Sequence, residues 1–391
     1  MFLSRVSRLF QVQAARARRW ALDWTRTQGA RFRVSVERRA PNRQDRFLSL
    51  AAPTQYRRSY TLCTTGIGAK TASDDSLTLQ IWGILAFSLF TQSSDNVEDE
   101  EKKKEDDIIL LLKRAKLSIM QGELEAANRI LHQAIRLAHQ AKNTQAITYT
   151  YSMMANLALV QGQFPEAEKL FKAAMSFLLA SGAQEDDNAV IEMSLKLASI
   201  YASQNKPELA EHGFEFCAES LEAKIEKQKD LPEGTLPEEE RSNTRLLLGL
   251  CLDSYARYLT TKHQLDQAHQ KYLRALQICR EEQGEAHPQT VVLMNDLATV
   301  LDLQGRHQEA MEQMSQALEL AKKAEHPDQH VLLCNMAGIL LHQGQLVQAR
   351  HVYREALLLA QATGDSEAMQ QIRDGLEKLS NRERDEERET A

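Results

Sequence analysis

The sequence is poor in the residues that break helices and in the residues that build sheets. Its 391 residues include only 16 glycines and 8 prolines, and aromatic side chains make up 6% of the chain. Strands draw on aromatic and β-branched side chains, whereas helices that pack through alanine and leucine need few of them. This composition argues against a β-sandwich and favours long helices joined by short turns.

The sequence also lacks the spacings that mark common chemical sites. It has no phosphate-binding glycine loop and no nucleophile elbow, and its 5 cysteines form no Cys-x-x-Cys pair. The closest histidine pair, His326 and His330, flanks a Pro-Asp step typical of a loop between helices. We therefore predict that the chain is not an enzyme and has no cofactor and no metal site.

Charge is divided unevenly along the chain. Residues 1–70 contain 14 arginines and one lysine against three acidic residues, a balance of +12. The net charge of −6 therefore leaves −18 on the remaining 321 residues. A basic head on an acidic body suggests a targeting segment in front of the folded part. The acidic body gives no electrostatic basis for nucleic-acid binding.

The first twenty residues predict an amphipathic helix rich in arginine. Arg5, Arg8, Arg16 and Arg19 lie on one side of a helical wheel, and large apolar residues lie on the other. An arginine-rich, acid-poor start without a continuous apolar core is typical of a mitochondrial presequence. We assign the presequence to residues 1–60. A disordered basic arm for nucleic acid or anionic membrane, and plain low-complexity sequence, are the alternatives.

The end of this presequence is predicted from a short motif. Arg58 and Tyr60 resemble the arginine-at-minus-three processing site of mitochondrial presequences, which places the cut after Tyr60. Residues 61–75 then form a linker.

Residues 76–91 are a long uncharged apolar stretch of the chain. As a helix they would span about 24 Å, whereas a bilayer core needs about 30 Å. They predict a short single-pass anchor in the inner membrane, with a docked or interfacial helix as the alternative. The basic head precedes them and an acidic linker, 92–107, follows, so that the repeats would face the intermembrane space.

From residue 108 onward the chain repeats itself. A turn residue recurs six times, with a small residue five positions later and another seven positions after that. The turn residues are Gly122, Gly162, Asn205, His263, Gly305 and Gly344. The small residues that follow them are Ala127, Ala134, Ala167, Ala174, Ala210, Cys217, Ala268, Ala275, Ala310, Ala317, Ala349 and Ala356. Small side chains at fixed intervals predict helical hairpins whose axes approach closely at those positions.

These residues resemble the tetratricopeptide repeat family. The consensus period of that family is about 34 residues, whereas the turn residues here are spaced 40, 43, 58, 42 and 39 apart, as in the kinesin-light-chain variety. The resemblance implies an all-α solenoid of six repeats over 108–365, with an acidic loop inserted at 225–241. A capping helix at 366–379 and a disordered tail at 380–391 complete this prediction.

The family resemblance also implies a ligand site. In tetratricopeptide repeats, a protein or peptide binds in the concave groove that the first helix of each hairpin lines. The groove positions of the family include Asn156, Arg257, Asn295, Asp296 and Asn335, which are the candidate contacts. Asp253, Asp302 and His342 are among the further groove positions. A side-chain amide can both donate to and accept from an extended peptide backbone. Ordinary polar helix surface is the alternative interpretation of these residues.

The combined layout of presequence, short anchor and long-period repeats resembles a family of mitochondrial tetratricopeptide repeat proteins. That resemblance implies an inner-membrane factor that supports respiratory complex III. It would bind the assembled complex and help to clear proteolytic fragments of the Rieske iron–sulfur subunit. A cytosolic cargo adaptor like the kinesin light chain, and a mitochondrial import or chaperone co-receptor, are the alternatives.

Overall fold

The computed structural model describes residues 99–390 apart from Glu233 and Pro327. In these residues the chain forms thirteen α-helices and no strand, which confirms the all-α prediction. Within that range no helix is both long enough and apolar enough to cross a bilayer. The helices are α1 (Asp99–Met120), α2 (Leu124–Gln140), α3 (Thr144–Val160), α4 (Phe164–Ala180), α5 (Asn188–Ser203), α6 (Pro207–Lys229), α7 (Glu238–Thr261), α8 (Leu265–Gln283), α9 (Pro288–Leu303), α10 (His307–Lys323), α11 (Gln329–His342), α12 (Leu346–Thr363) and α13 (Ser366–Thr390).

Several predicted segments lie outside the described residues. These are the presequence 1–60 with its processing site at Arg58 and Tyr60, the linker 61–75, and the apolar segment 76–91. The acidic linker is described only from Asp99 onward, where α1 begins.

Successive helices pair into six hairpins within the part of the chain that the structure describes, from α1–α2 to α11–α12, and α13 packs on the last of them. The turn inside each hairpin is three residues long, which brings the two helices side by side. Each hairpin also packs on the next one, so that the buried side chains form one continuous core. A single hairpin could not bury its apolar face alone, and stacking supplies the missing surface.

The middle residue of each three-residue turn has a left-handed backbone. Gly162 has φ 71° and Gly305 has φ 76°, and the same conformation is found at Asn205 with φ 54° and His263 with φ 57°. The turn is closed by backbone hydrogen bonds, as where the Gln163 N–H donates to the Ala158 oxygen at 2.8 Å. Glycine adopts positive φ without steric cost, and this explains why it occupies four of the six turn positions.

The small residues that the repeat pattern singled out are all fully buried, with 0% exposure. They are Ala127, Ala134, Ala167, Ala174, Ala210, Cys217, Ala268, Ala275, Ala310, Ala317, Ala349 and Ala356. Gly213 shows how close the helices approach, because a Cβ placed there would lie 2.7 Å from the Cβ of Ala198. A larger side chain at such a crossing would force the two helices of a hairpin apart.

The inserted loop is shorter than the predicted 225–241. Helix α6 continues to Lys229 and α7 begins at Glu238, which leaves residues 230–237 between them. The charges explain the longer helices: α7 opens on three glutamates at Glu238–Glu240, and α6 ends with Lys227 and Lys229. Acidic residues at a helix N-terminus and basic residues at a C-terminus are favourable partners of the helix dipole.

The C-terminal helix extends further than the sequence predicted. Helix α13 continues through Thr390, whereas the prediction ended a capping helix at 379 and made 380–391 disordered. The extra turns are held by contacts with earlier helices. Arg382 donates to the Leu341 backbone oxygen at 2.9 Å, and Glu383 forms an ion pair with Arg350. These partners lie more than thirty residues away in sequence, so the composition of the tail alone could not predict the contacts.

Candidate protein-binding surface

The first helices of the hairpins form one layer of the solenoid. They contact one another between neighbouring hairpins, as α5 contacts α7, α9 contacts α11 and α11 contacts α13. Over residues 99–390 no two second helices contact each other as extensively. We call this layer of first helices the inner layer. The candidate groove residues lie on helices of this layer.

A continuous polar chain crosses three of these first helices, and we call it the polar ladder. Its members are Asp253 and Arg257 on α7, Asn295 and Asp296 on α9, and Asn335 on α11. Arg257 donates to both carboxylate oxygens of Asp253 at 3.1 Å and lies 3.6 Å from Oδ2 of Asp296. Asn295 then donates to Asp296 at 3.1 Å, and Asn335 donates to Asn295 at 2.8 Å.

Most of the polar ladder is buried. Asn295 and Asp296 are each 2% exposed and Asn335 is 9% exposed, whereas Arg257 is partly exposed. Polar groups so far from water are costly unless they are hydrogen-bonded. The sequence predicted four of the five ladder residues as candidate groove contacts, and here those four are linked to one another by hydrogen bonds and an ion pair. Arg257 is the most exposed member of the ladder.

Asn156 lies on α3, away from the polar ladder. It is half-buried, and its amide donates to the Ser152 backbone oxygen in the same helix at 3.0 Å. The structure thus brings four of the five predicted groove residues together and leaves the fifth two hairpins away.

A second polar group lies two helical turns farther along α9 and α11. Asp302 follows Asn295 by seven residues, and His342 follows Asn335 by seven. Nδ1 of His342 lies 2.7 Å from Oδ2 of Asp302, and Nδ1 of His307 lies 2.7 Å from Oδ1 of the same carboxylate. The hydrogen bond to Asp302 raises the pKa of His342 above its usual value, although burial opposes the rise.

The sequence prediction placed Asp302 and His342 in the groove but did not group them with His307, because only histidines close in sequence were compared as metal ligands. A spacing signal was present, since Asp302 and His342 repeat the positions of Asn295 and Asn335 after seven residues. Seven residues are nearly two helical turns, so both pairs lie on the same faces of α9 and α11. His307 is the first residue of α10, and it joins Asp302 and His342 only in the folded structure, so sequence spacing could not predict its contact with them.

The other titratable groups have structural roles. His287 caps α9 by accepting the Gln289 N–H at 3.2 Å, and burial lowers its pKa. His326 accepts the Asp328 N–H at 3.1 Å, and burial lowers its pKa as well. The four described cysteines are reduced and buried, and burial raises the pKa of Cys334 to about 12. Such thiols act as small apolar side chains.

The fold defines the class of protein. The sequence profile of the tetratricopeptide repeat matches residues 245–323, which cover the fourth and fifth hairpins. The protein is a tetratricopeptide repeat scaffold.

The comparisons with curated proteins then identify the family. The chain is 55% identical over 273 residues to the rat protein named tetratricopeptide repeat protein 19, mitochondrial, covering 70% of this chain and 74% of that one. It is 56% identical over 301 residues to the zebrafish protein of the same name, covering 77% and 74%. The chain belongs to the mitochondrial tetratricopeptide repeat protein 19 family. This membership supports a mitochondrial protein over the cytosolic cargo adaptor.

One of the solved structures that are similar to this chain has low sequence identity to it. The crystal structure of BtubC (BKLC) from P. vanneervenii is 17% identical, with a TM-score of 0.49, over 62% of this chain and 92% of that one.

Proposed function

We propose that the protein is a non-catalytic scaffold of the mitochondrial inner membrane that supports respiratory complex III. In this role it binds the assembled complex and helps to clear proteolytic fragments of the Rieske iron–sulfur subunit. The repeats face the intermembrane space, and the apolar segment 76–91 provides the anchor. The observation that carries the proposal is a tetratricopeptide solenoid on a chain whose family is mitochondrial.

The polar ladder supports a binding role for the inner surface. Its hydrogen bonds fix the spacing of α7, α9 and α11, and a rigid layer loses little conformational freedom when a ligand binds. Arg257 offers a cation at the surface of this layer, held by Asp253. Asn156 offers an amide farther along the same layer. An extended polypeptide with free backbone carbonyl groups suits these two donor side chains.

The test is made in mitochondria that carry the tagged full-length chain. Protease is added to intact organelles, to organelles with a ruptured outer membrane, and to fully lysed organelles. We expect the repeats to be cleaved once the outer membrane is ruptured. Crosslinking and capture should then recover complex III subunits together with Rieske fragments. Repeats that stay protected until the inner membrane opens would refute the orientation, and capture without complex III subunits would refute the partner.

A pair of variants tests the binding surface. Asn156→Arg places a bulky cation on the half-buried groove position, whereas Gln316→Arg makes the same change on an exposed position of α10, a second helix. We expect Asn156→Arg to reduce the recovery of complex III and to let Rieske fragments accumulate. Gln316→Arg should behave like the wild type. Equal recovery with both variants would show that the contact lies elsewhere on the chain.

A further inference from the structure

Three potential metal ligands from three consecutive helices meet at one end of the inner layer. Asp302 lies in the last turn of α9, His307 opens α10, and His342 ends α11. One ligand atom from each residue can be chosen so that all three lie within 4.8 Å of one another. The carboxylate is flanked by both imidazole rings, whose centroids are 6.0 Å apart. This arrangement gives two nitrogen donors and one carboxylate on a rigid frame.

We propose that Asp302, His307 and His342 bind a divalent transition-metal ion, with Zn²⁺ as the best match. Two imidazoles and one carboxylate are the donor set that zinc and its neighbours in the first transition row prefer. Magnesium and calcium favour sites made of oxygen ligands alone, so this set selects against them. With three protein ligands, a water molecule completes a tetrahedral shell.

The two distances from histidine nitrogen to carboxylate oxygen are close to those of a bound state. Zinc bonds of about 2.0–2.2 Å to nitrogen and oxygen place neighbouring ligand atoms roughly 3.3 Å apart. The two Nδ1–oxygen distances are 2.7 Å, so each opens by a fraction of an ångström when the ion replaces the proton between them. The side chains of His307 and His342 are 33% and 28% exposed, which leaves a path for the ion and room for the rings to turn.

The surroundings of the proposed metal site contain charges of both signs. Asp302 and His342 are at the C-terminal ends of α9 and α11, where the partial negative charges of two helix dipoles favour a cation. Arg382 on α13 opposes it, because its guanidinium donates to the backbone oxygen of Leu341, next to His342. The N-terminus of α10, which begins at His307, also carries a partial positive charge and opposes a cation. The carboxylate of Asp302 and the C-termini of α9 and α11 act against these two features.

The consequence is a metal link between hairpins. Asp302 and His307 belong to the hairpin α9–α10, and His342 belongs to the hairpin α11–α12. An ion bound to all three would hold the two hairpins at a fixed angle and stiffen that end of the inner surface. This role goes beyond the proposed scaffold function, and either proposal can be refuted without refuting the other.

The test uses the purified full-length chain, stripped with chelator and titrated with zinc chloride in competition with a chromophoric chelator. We expect one tight zinc ion per chain, and a thermal midpoint that rises by about 5 °C at a free zinc concentration 100 times the dissociation constant. Cobalt(II) in place of zinc should give the visible absorption bands of a four-coordinate site. A midpoint that zinc leaves unchanged would overturn the proposal.

Variants separate this site from the other histidines. His307→Gln and His342→Gln should each weaken zinc binding by at least about tenfold and abolish the cobalt bands. His351→Gln removes an exposed histidine from α12 and should change neither result. Circular dichroism of each variant without metal reports whether it is folded. Zinc affinity that is the same in folded His342→Gln and in the wild type would mean an adventitious surface ion only, and would overturn the proposal.

Discussion

Asn335 on α11 donates a hydrogen bond of 2.8 Å to the side-chain oxygen of Asn295 on α9, forty residues earlier in the chain. Both side chains are buried, so neither can exchange this partner for water in the folded state. We expect Asn335→Ala to lower the free energy of unfolding by about 1–3 kcal/mol, because it leaves a buried acceptor without its donor. Urea unfolding of the full-length chain, followed by circular dichroism, measures the change.

The matched control for this prediction is Asn156→Ala. The Asn156 amide donates to a backbone oxygen of its own helix and is half-buried, so its removal should cost no more than about 0.5 kcal/mol. The double variant Asn295→Ala, Asn335→Ala should cost less than the sum of the two single variants. Additive costs would show that the two amides do not depend on each other.

Two helical glycines provide a paired test of helix spacing. A Cβ at Gly213 would lie 2.7 Å from Cβ of Ala198, whereas a Cβ at Gly249 would lie 3.4 Å from the nearest atom, Cγ2 of Ile278. Alanine in place of glycine gains up to about 1 kcal/mol inside a helix. We expect Gly249→Ala to be neutral or stabilising. Gly213→Ala should lower the thermal midpoint because the overlap forces α5 and α6 apart. The prediction fails if both variants are stabilised alike.

The hairpin turns and crossings could be predicted from the sequence because both have local causes. A left-handed turn residue at Gly162 or Gly305 needs an amino acid that tolerates positive φ. A close crossing at Ala167 or Ala310 needs a side chain small enough to fit between two helices. Each requirement restricts the residue types allowed at one position, and the repeat places these restricted positions at regular intervals in the sequence.

The pairing of polar side chains could not be predicted in the same way. Asn295 and Asn335 lie in the positions where the family binds ligands, yet here they hydrogen-bond to each other. Which partner an amide takes depends on the angle and spacing of two helices forty residues apart in sequence. The same reason explains why His307 and the end of α13 were missed. His307 joins Asp302 and His342 only after three helices have packed.

The buried alanines predict a loss of stability on enlargement. We expect Ala310→Leu to lower the free energy of unfolding by about 1–3 kcal/mol, because Ala310 is completely enclosed at the crossing of α9 and α10. Ala180→Leu is the control, since Ala180 is exposed at the end of α4. Thermal unfolding followed by circular dichroism compares the two. An unchanged midpoint for Ala310→Leu would contradict the tight crossing.

Glu192 on α5 predicts a dependence of stability on pH. Its carboxyl is buried, and loss of hydration raises its pKa from 4.5 to about 7, while the charge of Lys196 lowers it in part. Below about pH 4.5 both the folded and the unfolded chain hold this proton, so the group costs no stability there. Between about pH 4.5 and 7 the unfolded chain releases the proton first, and the folded state loses stability as the pH rises. Above the folded pKa the loss is constant, on the order of 3 kcal/mol.

Glu192→Gln removes the titrating group while keeping nearly the same shape. We therefore expect the variant and the wild type to be similarly stable near pH 5, and the variant to be more stable at pH 8. Chemical unfolding at a series of pH values measures the difference directly. Glu219→Gln, which removes an exposed carboxylate from α6, controls for the loss of charge and should show no such growth with pH. A Glu192→Gln advantage that is the same at pH 5 and pH 8 would show that the carboxyl does not keep its proton in the folded state.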